Sequence, residues 1–190
     1  MDISVKVSTP TIDRLAKQLS PAGRRVLSEA AVKGLFVRIR EWLRRYASTH
    51  HASAGRLNAT PTRILEQAAS TMKWRADENG GAVSVAAPGI RRALRSTTIR
   101  PTAGKEFLTI PMVAFAYGRR VYEVRRDGHE LFRPRGRDYL AEKVDGRLQV
   151  VYLLRREVPQ RQDRTILPPD DDMNQAATDG VNMLLRRLAK

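Results

Sequence analysis

Two short runs of residues joined by Asp145 and Gly146 constrain the fold of this chain more than any other feature of its sequence. The runs cover residues 139–144 and 147–154 and are rich in residue types that favour strands. An Asp-Gly pair favours a tight two-residue turn, because both turn positions need positive φ angles that Asp and Gly tolerate. The sequence therefore predicts a pair of antiparallel strands here.

A second hairpin is predicted between residues 74 and 85. Trp74 precedes an Asn79-Gly80 pair, which is also typical of tight turns, and Val83 and Val85 follow it at alternate positions. Shorter strands are predicted at residues 3–7 and 107–110. All of these strands are short, which is typical of small antiparallel sheets.

Amphipathic helices accompany the strands. The longest is predicted to begin at Ser20-Pro21, a capping residue followed by a proline, and to extend to about Ser48. Its apolar residues recur at three- and four-residue steps and form one stripe: Ala31, Leu35, Ile39, Trp42 and Tyr46. Further helices are predicted at about residues 10–19, 61–72 and 171–189, with a flexible loop at residues 50–58.

These elements predict an α+β protein in which helices pack on a small antiparallel sheet, with extended loops or arms. A chain of 190 residues suits one domain over residues 1–190. Its 42% hydrophobic residues are ordinary for a soluble protein, and no apolar run approaches the roughly 20 residues of a membrane helix. We therefore expect no membrane association. Because the first residues do not resemble a secretory signal, we expect the chain to stay in the cytoplasm where it is made.

The chain is strongly basic, with 35 Lys and Arg against 20 Asp and Glu and a net charge of +15. Such an excess attracts polyanions, and the guanidinium group of arginine suits both phosphates and carboxylates. Nucleic acid and the acidic face of another protein are both compatible with this charge. A third interpretation is a solvated surface charge that only keeps the protein soluble.

The residues that could carry catalysis are not spaced for it. His50 and His51 are adjacent and His129 stands alone, so no zinc-binding spacing is present. Glu142 and Lys143 are neighbours in a predicted strand and would lie on opposite faces, which excludes a nuclease-like pair. Three aspartates at 170–172 are typical of a helix start. There is also no cysteine to act as a nucleophile or ligand. We expect no enzyme activity, metal or cofactor.

Two segments between the predicted elements are candidates for contact with a partner. A basic loop is predicted at residues 125–138, because Gly and Pro interrupt it. The contact residues that it offers are Arg125, Arg126, Arg133, Arg135 and Arg137. An extended arm is predicted at about residues 155–170, because this stretch is charged and contains prolines. The arm residues are Arg155, Pro159, Arg161, Arg164 and Leu167.

The centre of the chain resembles a known family. Residues 98–111 contain Arg100-Pro101, Gly104-Lys105 and a short strand ending at Pro111, and Tyr117-Gly118-Arg119 follows. This order of loop, strand and turn resembles the virion morphogenesis or tail-completion proteins of tailed phages, best known from Mu-like phages. The resemblance extends from the basic helix near the N-terminus, through residues 73–85 and 151–155, to residues 165–168 before the last helix.

The resemblance implies a structural role. Proteins of this family are small α+β units that act as rings around the DNA channel at the neck of the virion. It implies that this chain helps to finish the tail and join it to the head, after synthesis in the cytoplasm of the bacterial host. Its partners would be other neck and tail proteins and further copies of itself in a ring. The extended arm would reach the next subunit, and the basic loop would contact an acidic partner or, non-specifically, phage DNA.

An alternative function is nucleic-acid binding without sequence specificity. Arginines are interleaved with Tyr122, Phe132 and Tyr139, and single-strand binders combine such phosphate contacts with stacking groups. No recognised nucleic-acid-binding motif is present. Contacts of this kind would therefore be made with the phosphate backbone.

Overall fold

The computed structural model describes residues 4–5, 19–50, 52–85 and 90–189. In chain order the helices are α1 (Pro21–Thr49), α2 (Ala52–Arg56), α3 (Ile64–Thr71), α4 (Ile90–Ala93), α5 (Val121–Arg126) and α6 (Asp170–Leu188). The strands are β1 (Ser4–Val5), β2 (Lys73–Asp77), β3 (Gly80–Ser84), β4 (Thr97–Ile99), β5 (Leu108–Pro111), β6 (Tyr139–Val144), β7 (Arg147–Arg155) and β8 (Val158–Gln160). Short 3₁₀ turns lie at Ala114–Ala116 and Arg164–Ile166.

The protein is α+β, as the sequence predicts: helices accompany small antiparallel sheets. The described strands form three sheets, with the orders β1-β3-β2, β4-β8 and β5-β7-β6, and every pairing is antiparallel. None of the helices that the structure describes is long and apolar enough to cross a membrane.

The chain divides into two compact units. Unit 1 comprises Met1–Thr49, Arg63–Leu94 and Asp163–Lys190, and unit 2 comprises His50–Thr62 and Arg95–Gln162. Each unit has its own cluster of buried apolar residues. The chain leaves unit 1 and returns to it twice. Sequence periodicity does not report which elements share a core, so it did not predict this division.

Unit 1 is built on helix α1. The Ser20 side chain accepts a hydrogen bond from the Gly23 N–H at 3.3 Å, so the predicted cap at the start of α1 is confirmed. Leu35 and Ile39 of the predicted stripe are buried, and its aromatic members are half-buried. Helix α3 and the β2–β3 hairpin supply other members of the same cluster, including Ala68 and Val83.

Helix α6 crosses α1 at two glycines. A Cβ atom on Gly34 would lie 2.2 Å from the carbonyl oxygen of Ala176, and one on Gly180 would lie 2.3 Å from the oxygen of Ala30. The two backbones are therefore close enough that glycine is required at both positions. Arg38 of α1 also forms an ion pair with Asp172 in the first turn of α6.

Unit 2 contains the hairpin that the Asp145-Gly146 pair predicts. β6 and β7 pair antiparallel, and the two turn residues have φ angles of 51° and 76°. β5 pairs with the other edge of β7. Tyr152 of β7 is fully buried and packs with Ala116, Val124 and Leu131. This cluster holds the turn at 114–116 and helix α5 against the sheet.

Four predictions need correction. Arg125 and Arg126, predicted to lie in a loop at 125–138, instead form the end of helix α5. Residues 50–58 contain the short helix α2 rather than only a loop, and Ala54 within it is buried. Helix α3 begins at Ile64 rather than at Pro61. The segment at 155–170 is not a free arm: it contains β8, which pairs with β4, and Ile166, which is buried in the unit 1 cluster. Residues 10–18 of the predicted helix at 10–19 lie outside the described residues.

Candidate partner-binding surface

The turn before helix α5 is fixed by Tyr152. The buried Tyr152 hydroxyl donates to the carbonyl oxygen of Arg119 at 3.1 Å, and the oxygen of Ala116 is 3.4 Å away. Burial raises the pKa of Tyr152, so the phenol stays protonated as a donor. The backbone at residues 116–119 is thus tied to the centre of the sheet.

Helix α5 carries charged groups held on this framework. The Arg120 N–H donates to a Glu123 carboxylate oxygen at 2.6 Å, and this bond lowers the pKa of Glu123. The Arg119 guanidinium donates to the Glu123 carbonyl oxygen at 3.1 Å and pairs with Asp127. The hydrogen bond from Arg119 lowers the pKa of Asp127. These contacts therefore hold the charged side chains on and beside α5 in defined positions.

All five predicted contact arginines are exposed, but two of them support the local structure. Arg125 donates to the carbonyl oxygen of Leu131 at 2.9 Å. Arg133 donates to the Arg137 carbonyl oxygen at 2.8 Å and to the Asp138 carboxylate at 2.9 Å. Both arginines therefore close the loop rather than reach a partner.

The ring of Phe107 also anchors this loop. The guanidinium carbon of Arg133 lies 4.7 Å from the centre of the Phe107 ring, and that of Arg156 lies 5.9 Å away. A guanidinium group within about 6 Å of an aromatic ring is attracted to its face. The half-buried Phe107 therefore links the loop at 133–138 to residues after β7.

The remaining arginines are available for contact. Arg126 is 3.8 Å from a carboxylate oxygen of Asp127, which is a loose surface pair. Within the part of the chain that the structure describes, the side chains of Arg135 and Arg137 form neither an ion pair nor a hydrogen bond. Gly136 between them has a φ of 71° and forms the turn that carries both. Arg135 and Arg137 are thus the strongest contact candidates of the five.

The predicted arm residues are divided between the two units. Arg155 ends β7 and Pro159 lies in β8, while Arg161 and Arg164 are exposed and Leu167 is half-buried against the unit 1 cluster. The part of the segment in unit 1 is tied to α1, because Trp42 donates to the Thr165 carbonyl oxygen at 3.0 Å and Tyr46 donates to Asp163. Four of the five arm residues are therefore exposed, whereas Leu167 packs against the unit 1 cluster.

One polar pair was not predicted from the sequence. Glu142 is 7% exposed, and its carboxylate lies 2.8 Å from Nδ1 of His129, whose ring stacks on Phe115 at 4.1 Å. The two partners are 13 residues apart in the chain, so no local spacing indicates their contact. The pair joins the loop after α5 to β6, which is a structural role.

The described residues contain no group of three or more His, Cys, Asp or Glu side chains that could hold a metal ion. Comparison of the chain with models of protein families, with curated proteins and with solved structures gives no match. The resemblance to phage tail-completion proteins therefore stays a prediction that rests on the residues quoted for it. The site described above consists of exposed arginines on a braced loop.

Proposed function

We propose that this chain is a structural protein of a tailed phage or prophage virion. It would act as a component of a neck or tail-completion ring that finishes the tail and joins it to the head. The resemblance at residues 98–120 and the α+β fold support this role. The protein would be made in the bacterial cytoplasm and would function in the virion beside other neck and tail proteins.

The exposed pair Arg135 and Arg137 is the observation that carries the proposal. Both arginines lie on a turn that Arg133 braces through Asp138, so the turn is ordered before a partner arrives. A preorganised basic turn loses little conformational entropy on binding and matches an acidic protein face. Contact between different surfaces of neighbouring molecules is what a closed ring requires.

The test is complementation. The gene is deleted from the phage or prophage that encodes the chain, variants are supplied from a plasmid, and joined particles are counted by electron microscopy. Wild-type protein should restore joining. The double variant Arg135→Glu and Arg137→Glu reverses both charges. It should lower the yield of joined particles at least about tenfold, because like charges placed against each other at a contact cost several kcal/mol of binding free energy.

The matched control is Lys143→Glu with Arg147→Glu. These residues are exposed in the same unit and lie on the hairpin rather than on the basic turn, so the total charge changes equally. The control should join heads and tails at the wild-type level. Normal joining in the deletion strain without a plasmid would refute the virion role itself, and equal yields from the two double variants would refute the role of the basic turn.

Non-specific nucleic-acid binding is the second candidate, and two exposed aromatics favour it. Tyr122 is 57% exposed and Phe132 is 39% exposed, and both are close in sequence to exposed arginines. Binding through six to ten phosphates would weaken by about 10³–10⁵ between 50 and 200 mM salt. Fluorescence anisotropy with random single-stranded and duplex DNA measures this slope. Absence of binding at 50 mM salt would eliminate the candidate.

A further inference from the structure

An open apolar groove runs along unit 1 between α1 and α6. Its volume is about 450 Å³, and its floor is the close crossing of Gly34 and Gly180. Three apolar side chains on its walls are about half exposed: Val26 at 48%, Val37 at 51% and Met183 at 58%. Exposed apolar residues grouped in this way are typical of a surface that another protein covers.

The charges around the groove differ from those of the rest of the chain. Its walls carry three acidic residues, Glu29, Glu41 and Asp179, and three basic residues, Lys33, Arg38 and Arg187. This face is therefore neutral in a chain with a net charge of +15. Two copies would repel each other through most of their surfaces, whereas they can approach through a face of balanced charge.

Helix α6 is complementary to an antiparallel copy of itself. On the wall of the groove, Asp179, Met183 and Arg187 follow one another at four-residue steps and so share one face. If two α6 helices lie antiparallel with Met183 opposite Met183, each Asp179 lies opposite an Arg187.

We propose that a second copy of this chain packs on the groove across a two-fold axis that passes near Met183. Each copy then buries the exposed apolar residues of the other, and two Asp179–Arg187 pairs flank the axis. A two-fold contact is self-complementary, as this arrangement requires. The contact uses unit 1 alone and is independent of the proposed virion role, so either can fail without the other.

Sedimentation equilibrium of the purified protein gives the first test. Between about 1 and 200 µM, the mass should rise from 21.4 kDa towards twice that value. Asp179→Arg should raise the dissociation constant of the dimer at least about tenfold, because it places two basic residues opposite each other. Arg187→Asp should do the same, and the two changes together should restore the dimer. The proposal would be overturned if the protein were a monomer at 200 µM, or if neither single change altered the dissociation constant of the dimer.

Cross-linking tests the position of the axis. The chain has no cysteine, so Met183→Cys introduces a single thiol that should oxidise to a disulfide-linked dimer. Asn182→Cys is the control, because this exposed neighbour does not line the groove. Circular dichroism verifies that both variants are folded. Faster dimer formation by Met183→Cys supports the axis, and equal rates or a faster control would contradict it.

Discussion

Gly34 and Gly180 are the residues on which the packing of the two longest helices depends. A Cβ atom at either position would meet a backbone carbonyl oxygen at 2.2 or 2.3 Å, and backbone cannot rotate away as a side chain can. The apolar pattern of the helices does not reveal this requirement, because the sequence shows only that glycine has a low helix propensity. The requirement comes from the neighbouring helix.

We predict that Gly34→Ala lowers the free energy of unfolding by about 1–3 kcal/mol, the usual cost of forcing an extra carbon into a packed contact, although alanine favours the helix itself. Urea denaturation at low protein concentration measures this change in the free energy of unfolding. Gly55→Ala is the control: Gly55 is also helical, and a Cβ there meets no atom within 4 Å. Its stability should be unchanged or slightly raised. Equal losses in the two variants would show that the close crossing is not the cause.

Asp127 should make the stability of the protein sensitive to acid. Its pKa is lowered, first by the hydrogen bond from Arg119, so the folded state binds the proton less readily than the unfolded state. The resulting stabilisation is present above the ordinary pKa of 3.8 and is lost as the pH falls from there towards the lowered value. Asp127→Asn should therefore reduce the loss of stability as the pH falls below this ordinary value. Urea titrations at each pH provide the measurement, and an unchanged pH dependence would contradict the assignment.

At the scale of elements, the sequence predicted those helices and strands that depend on residues close together in the chain. The β6–β7 hairpin follows from Asp145-Gly146, whose positive φ angles the structure shows, and α1 follows from its cap and apolar stripe. The β4–β8 pair could not be predicted in this way, because it joins Thr97 to Gln160 through strands of three residues with no visible alternation. The arm was misjudged for the same reason: Pro159 suggested an unpaired chain, yet proline is tolerated in an edge strand such as this one.

The apolar stripe of α1 can be tested against its exposed face. Leu35→Asp places a carboxylate where the side chain is 2% exposed, so it should cost several kcal/mol and unfold or aggregate unit 1. Arg44→Asp puts the same residue on the exposed face of the same helix and should melt within a few degrees of the wild type. Circular dichroism melting compares them. Similar melting of the two variants would mean that the stripe does not form the core.

At the scale of the whole molecule, the sequence indicated the candidate partner-binding surface only in part. All five predicted contact arginines are exposed, but Arg125 and Arg126 lie in helix α5 rather than in a loop. The sequence did not separate Arg135 and Arg137 from Arg125 and Arg133, because the latter donate to Leu131 and Asp138 in ways that only the folded loop defines. The division into two units likewise could not be predicted from the sequence, because it depends on which segments return to the same core.

The most direct test of the virion role is the location of the protein in purified particles. Virions of the phage or induced prophage that encodes the chain are isolated, and an epitope tag on this protein is labelled with gold for electron microscopy. We predict label at the junction of head and tail, in several copies per particle. Particles that join and infect normally but contain none of this protein, by labelling and by mass spectrometry, would contradict the proposed function.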